Sequence, residues 1–182
     1  MGKLVAKAAA ENLTKVSLEL GGKAPNVIFA DADLDQAVNG AMMGIFFNQG
    51  QVCCAGSRIF VEEKAKDEFL ERFKEKAEKV KVGDPMDKAT LMGPQVSEEQ
   101  LNRIKGYVDI ARAEGATVLT GGAAPQLDPQ FQNGYFFQPT IFSDVNNSMR
   151  VAQEEIFGPV TSVISFDNDE DLIRQANETI YG

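Results

Sequence analysis

Apolar positions along the 182-residue chain follow two spacings. Short runs that alternate, or that are apolar throughout, predict strands over residues 15–20, 26–30, 58–61, 116–119 and 160–166. Between most of them lie longer stretches with apolar residues at every third or fourth position, which is the spacing of amphipathic helices. Strands that alternate with such helices are typical of a layered α/β fold. We therefore predict a mostly parallel sheet flanked by helices.

The helix predictions also rest on signals for where each helix begins and ends. Two helices begin with a capping box, in which Gln36 follows Asp33 and Gln100 follows Ser97. Glycine or a polar break ends each of these two helices. Helices are predicted over residues 3–11, from Asp33 to Asn48, over 63–82, from Ser97 to Gly115, and over 169–177.

Composition and charge narrow the class of protein. Hydrophobic residues make up 43% of the chain and charged residues 25%, which is the balance of an ordinary soluble globular protein. The net charge of −9 argues against nucleic acid or an anionic membrane as a partner, since both require a basic surface. The two cysteines are adjacent and form no disulfide framework, which favours a cytosolic location with reduced thiols.

The stretch from Phe46 to Arg58 carries the most reactive side chains. It contains both cysteines, Cys53 and Cys54, in a glycine-flanked loop after a predicted helix, and the chain has no histidine. Exposed backbone amides in such a loop lower a thiol pKa and stabilise a developing oxyanion. The alternative is a small buried hydrophobic residue, which is the commoner role of a cysteine. A metal site is disfavoured, because no histidine and no further cysteine completes it.

Glu19 is the candidate partner for a reactive thiol. It lies in an apolar strand pattern, with only Leu20 between it and Gly21, where burial would raise its pKa and suit it to act as a general base. A Glu that points to solvent from a half-exposed strand fits the pattern equally well. Glu154 and Glu155 by themselves indicate only a turn with two solvated acids.

Three segments together resemble the aldehyde dehydrogenase superfamily. Residues 18–23 resemble its glutamate signature, residues 46–58 its cysteine signature, and residues 154–160 a third diagnostic segment. They occur in the family's order and approximate spacing. The resemblance extends over essentially the whole chain and includes Gly93-Pro94 before a helix.

The resemblance implies an NAD- or NADP-dependent oxidation of an aldehyde to a carboxylic acid, through a cysteine thiohemiacetal and thioester. Cys53 is implied as the nucleophile, Glu19 as the general base, and Cys54 as a neighbour. The residues implied to face the cofactor are Glu155, Phe157, Leu20, Gly21 and Gln100. No metal is implied.

The chain is also predicted to be incomplete relative to that family. Residues 1–20 are interpreted as a remnant of the cofactor-binding domain and residues 21–182 as a C-terminally incomplete catalytic domain. The segments that bind adenosine and pyrophosphate, and an asparagine of the oxyanion hole, are expected upstream. We therefore expect little or no dehydrogenase activity from the isolated chain, uncovered apolar surface, and a homo-oligomer for a full-length protein.

Two other functions remain open at the level of sequence. One is a non-catalytic fragment that binds protein partners through exposed sheet edges. The other is a redox protein that uses the vicinal thiols of Cys53 and Cys54.

Overall fold

A single five-stranded sheet forms the centre of the fold. The computed structural model describes residues 1–181. The strands are β1 (Pro25–Ile28), β2 (Arg58–Glu62), β3 (Thr117–Thr120), β4 (Thr140–Ser143) and β5 (Val160–Phe166). They lie side by side in the order β1-β2-β5-β4-β3.

Four of the five strands are parallel. β2 pairs in parallel with both β1 and β5, and β4 pairs in parallel with β5, whereas β3 runs antiparallel at the edge next to β4. In this register Pro25 lies opposite Arg58, which lies opposite Ser162. The predicted α/β fold with a mostly parallel sheet is confirmed.

Helices cover both faces of the sheet. These helices are α2 (Leu34–Phe46), α3 (Lys66–Glu78), α4 (Glu98–Glu114), α5 (Arg150–Gln153) and α6 (Asp169–Asn177), whereas α1 (Gly2–Glu11) covers neither face. Across residues 1–181, no helix combines the length and the apolar character needed to cross a membrane.

The central strand β2 shows why the sheet has two cores. Ile59 and Val61 pack with residues of α2 and α3 on one face, while Phe60 packs with residues of α4 on the other. Side chains of successive strand residues point to opposite faces. A strand covered on both sides must therefore be apolar in its centre, as Ile59, Phe60 and Val61 are.

The predicted caps of α2 and α4 are present. The Asp33 carboxylate accepts hydrogen bonds from the amides of Asp35 and Gln36, and the Ser97 hydroxyl accepts one from the amide of Gln100. Gly115 ends α4 with a positive φ of 95°.

Residues 15–20 do not form the predicted strand. All six are exposed, and they pair with no strand in the part of the chain that the structure describes. Alternation alone does not create a strand, because the backbone donors and acceptors require a neighbouring strand. The strand prediction is therefore wrong for this chain.

The helix predicted over residues 63–82 is shorter than its apolar spacing indicates. Glu63–Ala65 form a 3-10 turn, and α3 ends at Glu78. Val82 instead bridges to Met92. Val80 and Val82 pack against the same core as the helix, so the apolar pattern continues after the helix has ended.

The first 20 residues add nothing to either core. α1 buries only Gly2, and Leu4, Leu13 and Leu20 are 66%, 93% and 56% exposed. This part of the chain therefore presents an uncovered apolar surface. Its interpretation as the remnant of a separate domain stays a prediction.

We predict opposite effects for two glycine-to-alanine substitutions. A Cβ at Gly50, where φ is +71°, would lie 2.0 Å from the carbonyl oxygen of Gly158. Gly50→Ala should therefore lower the free energy of unfolding by roughly 3 kcal/mol or more. Gly40, inside α2, has open space around its Cα, so Gly40→Ala should raise that free energy by about 0.5–1 kcal/mol. Urea unfolding of both variants tests this, and equal effects would contradict the close approach at Gly50.

Candidate active site

The three segments singled out in the sequence all lie at one end of the sheet, where three parallel strands begin. Residues 20–24 lead into β1, residues 53–57 into β2, and residues 154–159 into β5. These strands are parallel neighbours with β2 in the middle, so their amino ends meet at the same edge. The topology thus brings together positions as far as 133 residues apart.

Cys53 and Cys54 lie in an irregular loop between α2 and β2. Asn48 and Gln49 have positive φ values of 48° and 57°, which turn the chain sharply away from the helix axis. The Gly56 amide then donates to a carbonyl in the last turn of α2 and fixes the far side of the loop. Both thiols are free and exposed, so the alternative of a buried structural cysteine is wrong.

The Gly21–Gly22 segment packs directly against this loop and against the third segment. A Cβ on Gly22 would lie 2.7 Å from the carbonyl oxygen of Cys53, and a Cβ on Gly21 would lie 2.1 Å from Oε2 of Glu155. The Gly22 amide donates to Oε1 of Glu155 at 3.3 Å. The backbone of Cys53 leaves no room for a side chain at position 22, whereas a side chain at position 21 would displace the Glu155 carboxylate.

Arg58 joins the edge of the sheet to the end of α6. Its buried guanidinium donates to the carbonyl of Lys23 at 3.0 Å and to Oδ1 of Asn147 at 3.1 Å. It also donates to the carbonyls of Gln175 and Ala176, at 3.1 and 2.9 Å. Four acceptors therefore compensate the burial of this cation.

The segment from Glu155 to Phe157 is held by two side chains of α4. Nε2 of Gln100 donates to the carbonyls of Ile156 and Phe157 at 2.9 and 2.8 Å, and Arg103 donates to the carbonyl of Glu155 at 2.6 Å. Phe157 has a φ of +62°, which is unusual for a residue other than glycine. These bonds hold its partly exposed ring at the surface.

Gln100 therefore has a backbone-binding role that the sequence did not indicate. The side chain of Gln100 does not complete the capping box, because its side-chain amide donates to the backbone of the third segment instead of returning to Ser97. Its predicted approach to a cofactor stays a prediction. Arg103 was missed altogether, although its position three residues after Gln100 places both on one helix face.

The two adjacent acids of the third segment differ in environment. Glu154 accepts a hydrogen bond from the Tyr107 hydroxyl at 2.6 Å and two from the Arg150 guanidinium at 2.8 and 2.9 Å. The hydrogen bonds from Arg150, and then that from Tyr107, lower the Glu154 pKa to about 2. Glu154 is thus a structural anchor, whereas Glu155 faces the glycine segment.

A cleft of about 570 Å³ opens between the thiol loop and the end of α6. Its far wall comes from residues 176–181. The near wall includes Leu20, Gly21, Lys23, Cys53, Cys54 and Arg58. The structure thus places the predicted nucleophile and two of the predicted cofactor-facing residues around one cavity.

Glu19 does not join this group. Its side chain is exposed, and the near wall of the cleft begins one residue later, at Leu20. The sequence allowed either a buried or a solvent-facing Glu19. The side chain faces solvent, so the prediction of a buried carboxylate is wrong. Its role as general base stays a prediction.

Lys23 is the residue that the sequence gave least reason to notice. It is only 3% exposed, and no hydrogen-bond acceptor for its Nζ occurs among residues 1–181. Burial, and then the charge of Arg58, lower its pKa from 10.5 to about 7, against the opposing effect of Glu155 and Glu154. A lysine after two glycines gives no sequence signal of burial.

Comparisons with known proteins give this site its context. The model of the aldehyde dehydrogenase family matches residues 1–182. An aldehyde dehydrogenase of Emericella nidulans is 51% identical over the whole chain, which covers 36% of that protein. A betaine aldehyde dehydrogenase of Brucella anthropi is 46% identical, with 100% of this chain and 37% of that protein covered.

Solved structures that resemble this chain are also aldehyde dehydrogenases. A betaine aldehyde dehydrogenase from Staphylococcus aureus in complex with NAD+ superimposes with a TM-score of 0.94 at 47% identity. An aldehyde dehydrogenase from Bacillus cereus superimposes with a TM-score of 0.93 at 45% identity. Each match covers 100% of this chain and 36% of the solved chain.

The chain belongs to the aldehyde dehydrogenase family, as its three segments indicate. It spans little more than a third of the length of the relatives it matches.

The burial of Lys23 predicts a specific pH dependence of stability. Between pH 7 and 10.5 the unfolded chain keeps the Lys23 proton that the folded chain has lost, so stability should rise with pH. Below pH 7 the cost of the buried charge is fully present, at roughly 5 kcal/mol. Lys23→Met should remove this cost and its pH dependence.

Urea unfolding from pH 6.5 to 9.5 measures this difference between parent and variant. Lys64→Met is the matched control, because the Lys64 side chain is 83% exposed. Parallel stability curves for the parent and Lys23→Met would contradict the assigned burial.

Proposed function

We propose that the protein represented by this chain oxidises an aldehyde to a carboxylic acid with NAD or NADP, using Cys53 as the nucleophile. The observation that carries the proposal is the packing of Gly21–Gly22 between the Cys53 backbone and the Glu155 carboxylate. This packing unites the exposed thiol, a cleft and an acid that can accept ligand hydroxyls.

The first step requires only the thiol and its loop. The Cys53 sulfur, as thiolate, attacks the aldehyde carbon, and a C–S bond forms while the carbonyl electron pair moves to oxygen. The backbone amide of Cys53 stabilises this oxyanion. The exposure of Cys53 on the cleft wall supports this role.

The residues present fit the nicotinamide-ribose end of the cofactor. Within residues 1–181, Glu155 accepts one hydrogen bond, from Gly22, so its carboxylate retains acceptor capacity for the ribose hydroxyls. The Phe157 ring is 37% exposed and able to pack against a flat ring. Leu20 and Gly21 line the cleft beside Cys53. When bound, the cofactor supplies the acceptor for the hydride that leaves the former aldehyde carbon.

Hydrolysis of the resulting thioester is assigned to Glu19. Its carboxylate takes a proton from water, whose oxygen attacks the thioester carbon, and the C–S bond then breaks to release the acid and the Cys53 thiolate. Support comes from its position in the glutamate signature, one residue before the cleft wall.

A cytosolic location and a homo-oligomeric full-length protein belong to the same proposal. The adjacent reduced cysteines support the first, and the family resemblance supports the second.

One observation favours partner binding as a second function of this chain. The uncovered apolar side chains of residues 1–20 are suited to contact another polypeptide. A longer aldehyde dehydrogenase should then retain this chain, and replacing Leu4 and Leu13 by Ser should abolish the retention.

The redox alternative has its own test. A reversible, stoichiometric Cys53–Cys54 disulfide would support it.

We predict that an activated ester will separate the two halves of the proposed reaction without any cofactor. p-Nitrophenyl acetate should acylate Cys53 and release a stoichiometric burst of nitrophenol, and mass spectrometry should locate the acetyl group. Cys53→Ala should abolish the burst, while Cys54→Ala should retain it. Glu19→Gln should leave the burst intact and slow deacylation by about 10²-fold.

Each outcome addresses one residue. Acylation of Cys54 in preference to Cys53 would contradict the assigned nucleophile. Unchanged deacylation in Glu19→Gln would contradict the assigned base. Glu11→Gln, at the end of α1, controls for the loss of one charge.

A further inference from the structure

Lys23 has no part in the mechanism above, although it lies on the wall of the same cleft as Cys53. Its side chain is 3% exposed, and Nζ has no hydrogen-bond partner in the described chain. A buried ammonium has three donors, and leaving them unsatisfied is costly. A neutral amine in this position costs less and has a free lone pair.

The surrounding charges favour the neutral amine. Arg58, at the start of β2, disfavours a second cation beside it, and burial acts in the same direction more strongly. Glu155 and Glu154, from the segment before β5, act in the opposite direction and are outweighed. At a pKa of about 7 roughly half of the amine is neutral at pH 7, compared with about one in several thousand for an ordinary lysine.

We propose that Lys23 is a second nucleophile of this cleft and binds aldehydes reversibly as an imine. Desolvation and a neighbouring cation are the two features that activate lysine for attack on carbonyl compounds. Both are present here, on the wall that also carries the predicted catalytic thiol. The site would take small aliphatic aldehydes.

The chemistry needs no further reactant. The Nζ lone pair attacks the aldehyde carbon and forms a C–N bond, while the carbonyl oxygen takes up a proton and becomes a hydroxyl. That proton comes from the nitrogen, which loses its second proton as the hydroxyl leaves as water, and the nitrogen lone pair then forms the C=N bond of a neutral imine. Water reverses the reaction. Because Nζ is covered, the four-carbon side chain turns toward the cleft to meet the aldehyde.

The inference takes only the class of substrate from the proposed function. It requires neither Cys53 nor Glu19, nor any cofactor. The experiment therefore uses the Cys53→Ser chain, so that failure of imine formation and failure of the thiol chemistry are separate results.

Reductive trapping tests the proposal directly. The Cys53→Ser chain is incubated with propanal and cyanoborohydride at pH 7, and peptide mass spectrometry follows N-propylation of each lysine. We expect Lys23 to be labelled at least tenfold faster than Lys64, whose side chain is 83% exposed. Labelling of Lys23 at the rate of Lys64 or more slowly would overturn the proposal.

Two controls connect the labelling to the fold. In urea the preference for Lys23 should disappear, because its environment is lost, and a preference that persists would overturn the proposal. Arg58→Met removes the neighbouring cation, so the ratio of Lys23 to Lys64 labelling at pH 7 should fall in protein that still unfolds cooperatively. An unchanged ratio in such protein would also count against the assigned activation.

Discussion

The buried guanidinium of Arg58 holds the candidate site together. It begins the strand that follows the thiol loop, and its donors reach the carbonyl of Lys23 and the carbonyls at the end of α6. A charged group without acceptors would be strongly unfavourable at this depth. The glycine segment and the end of α6 therefore have to stay where they are for the cation to remain satisfied, and these two segments form opposite walls of the cleft.

The cysteine loop, the paired glycines and Glu155 lie close together because three of the strands are parallel neighbours. Because β1, β2 and β5 are parallel neighbours, the segments before them meet at the same end of the sheet. Gly22 permits an approach to the Cys53 backbone that a side chain would prevent, and Gly21 leaves the space that the Glu155 carboxylate occupies. The positions of the thiol and of the carboxylate therefore depend on the same short segment.

Much of this arrangement could be predicted from local patterns. Helix caps at Asp33 and Ser97, the apolar centre of β2 and the three family segments each depend on residues close together in the sequence. The strand predicted over residues 15–20 failed because pairing is a property of the neighbours and not of the segment itself. The same reason explains the exposure of Glu19.

Other features depend on contacts that no spacing in the sequence reveals. Glu154 and Glu155 are identical in type and adjacent, yet Tyr107 and Arg150 bind only the first of them. Gln100 fulfils its expected position in a capping motif, but its side chain binds the backbone of a segment 56 residues away. The burial of Lys23 arises from long-range packing around the cleft.

Hydrogen exchange of an Arg58→Met variant tests most directly whether this residue joins the two walls of the cleft. If it does, amide protection should fall together at Gly22, whose amide donates to Glu155, and in residues 174–178 at the end of α6, while β4 keeps its protection as an internal reference. Arg58→Lys, which retains the charge with fewer donors, should show a smaller loss at the same places. Loss of protection in only one of the two walls, or in neither, would contradict the account.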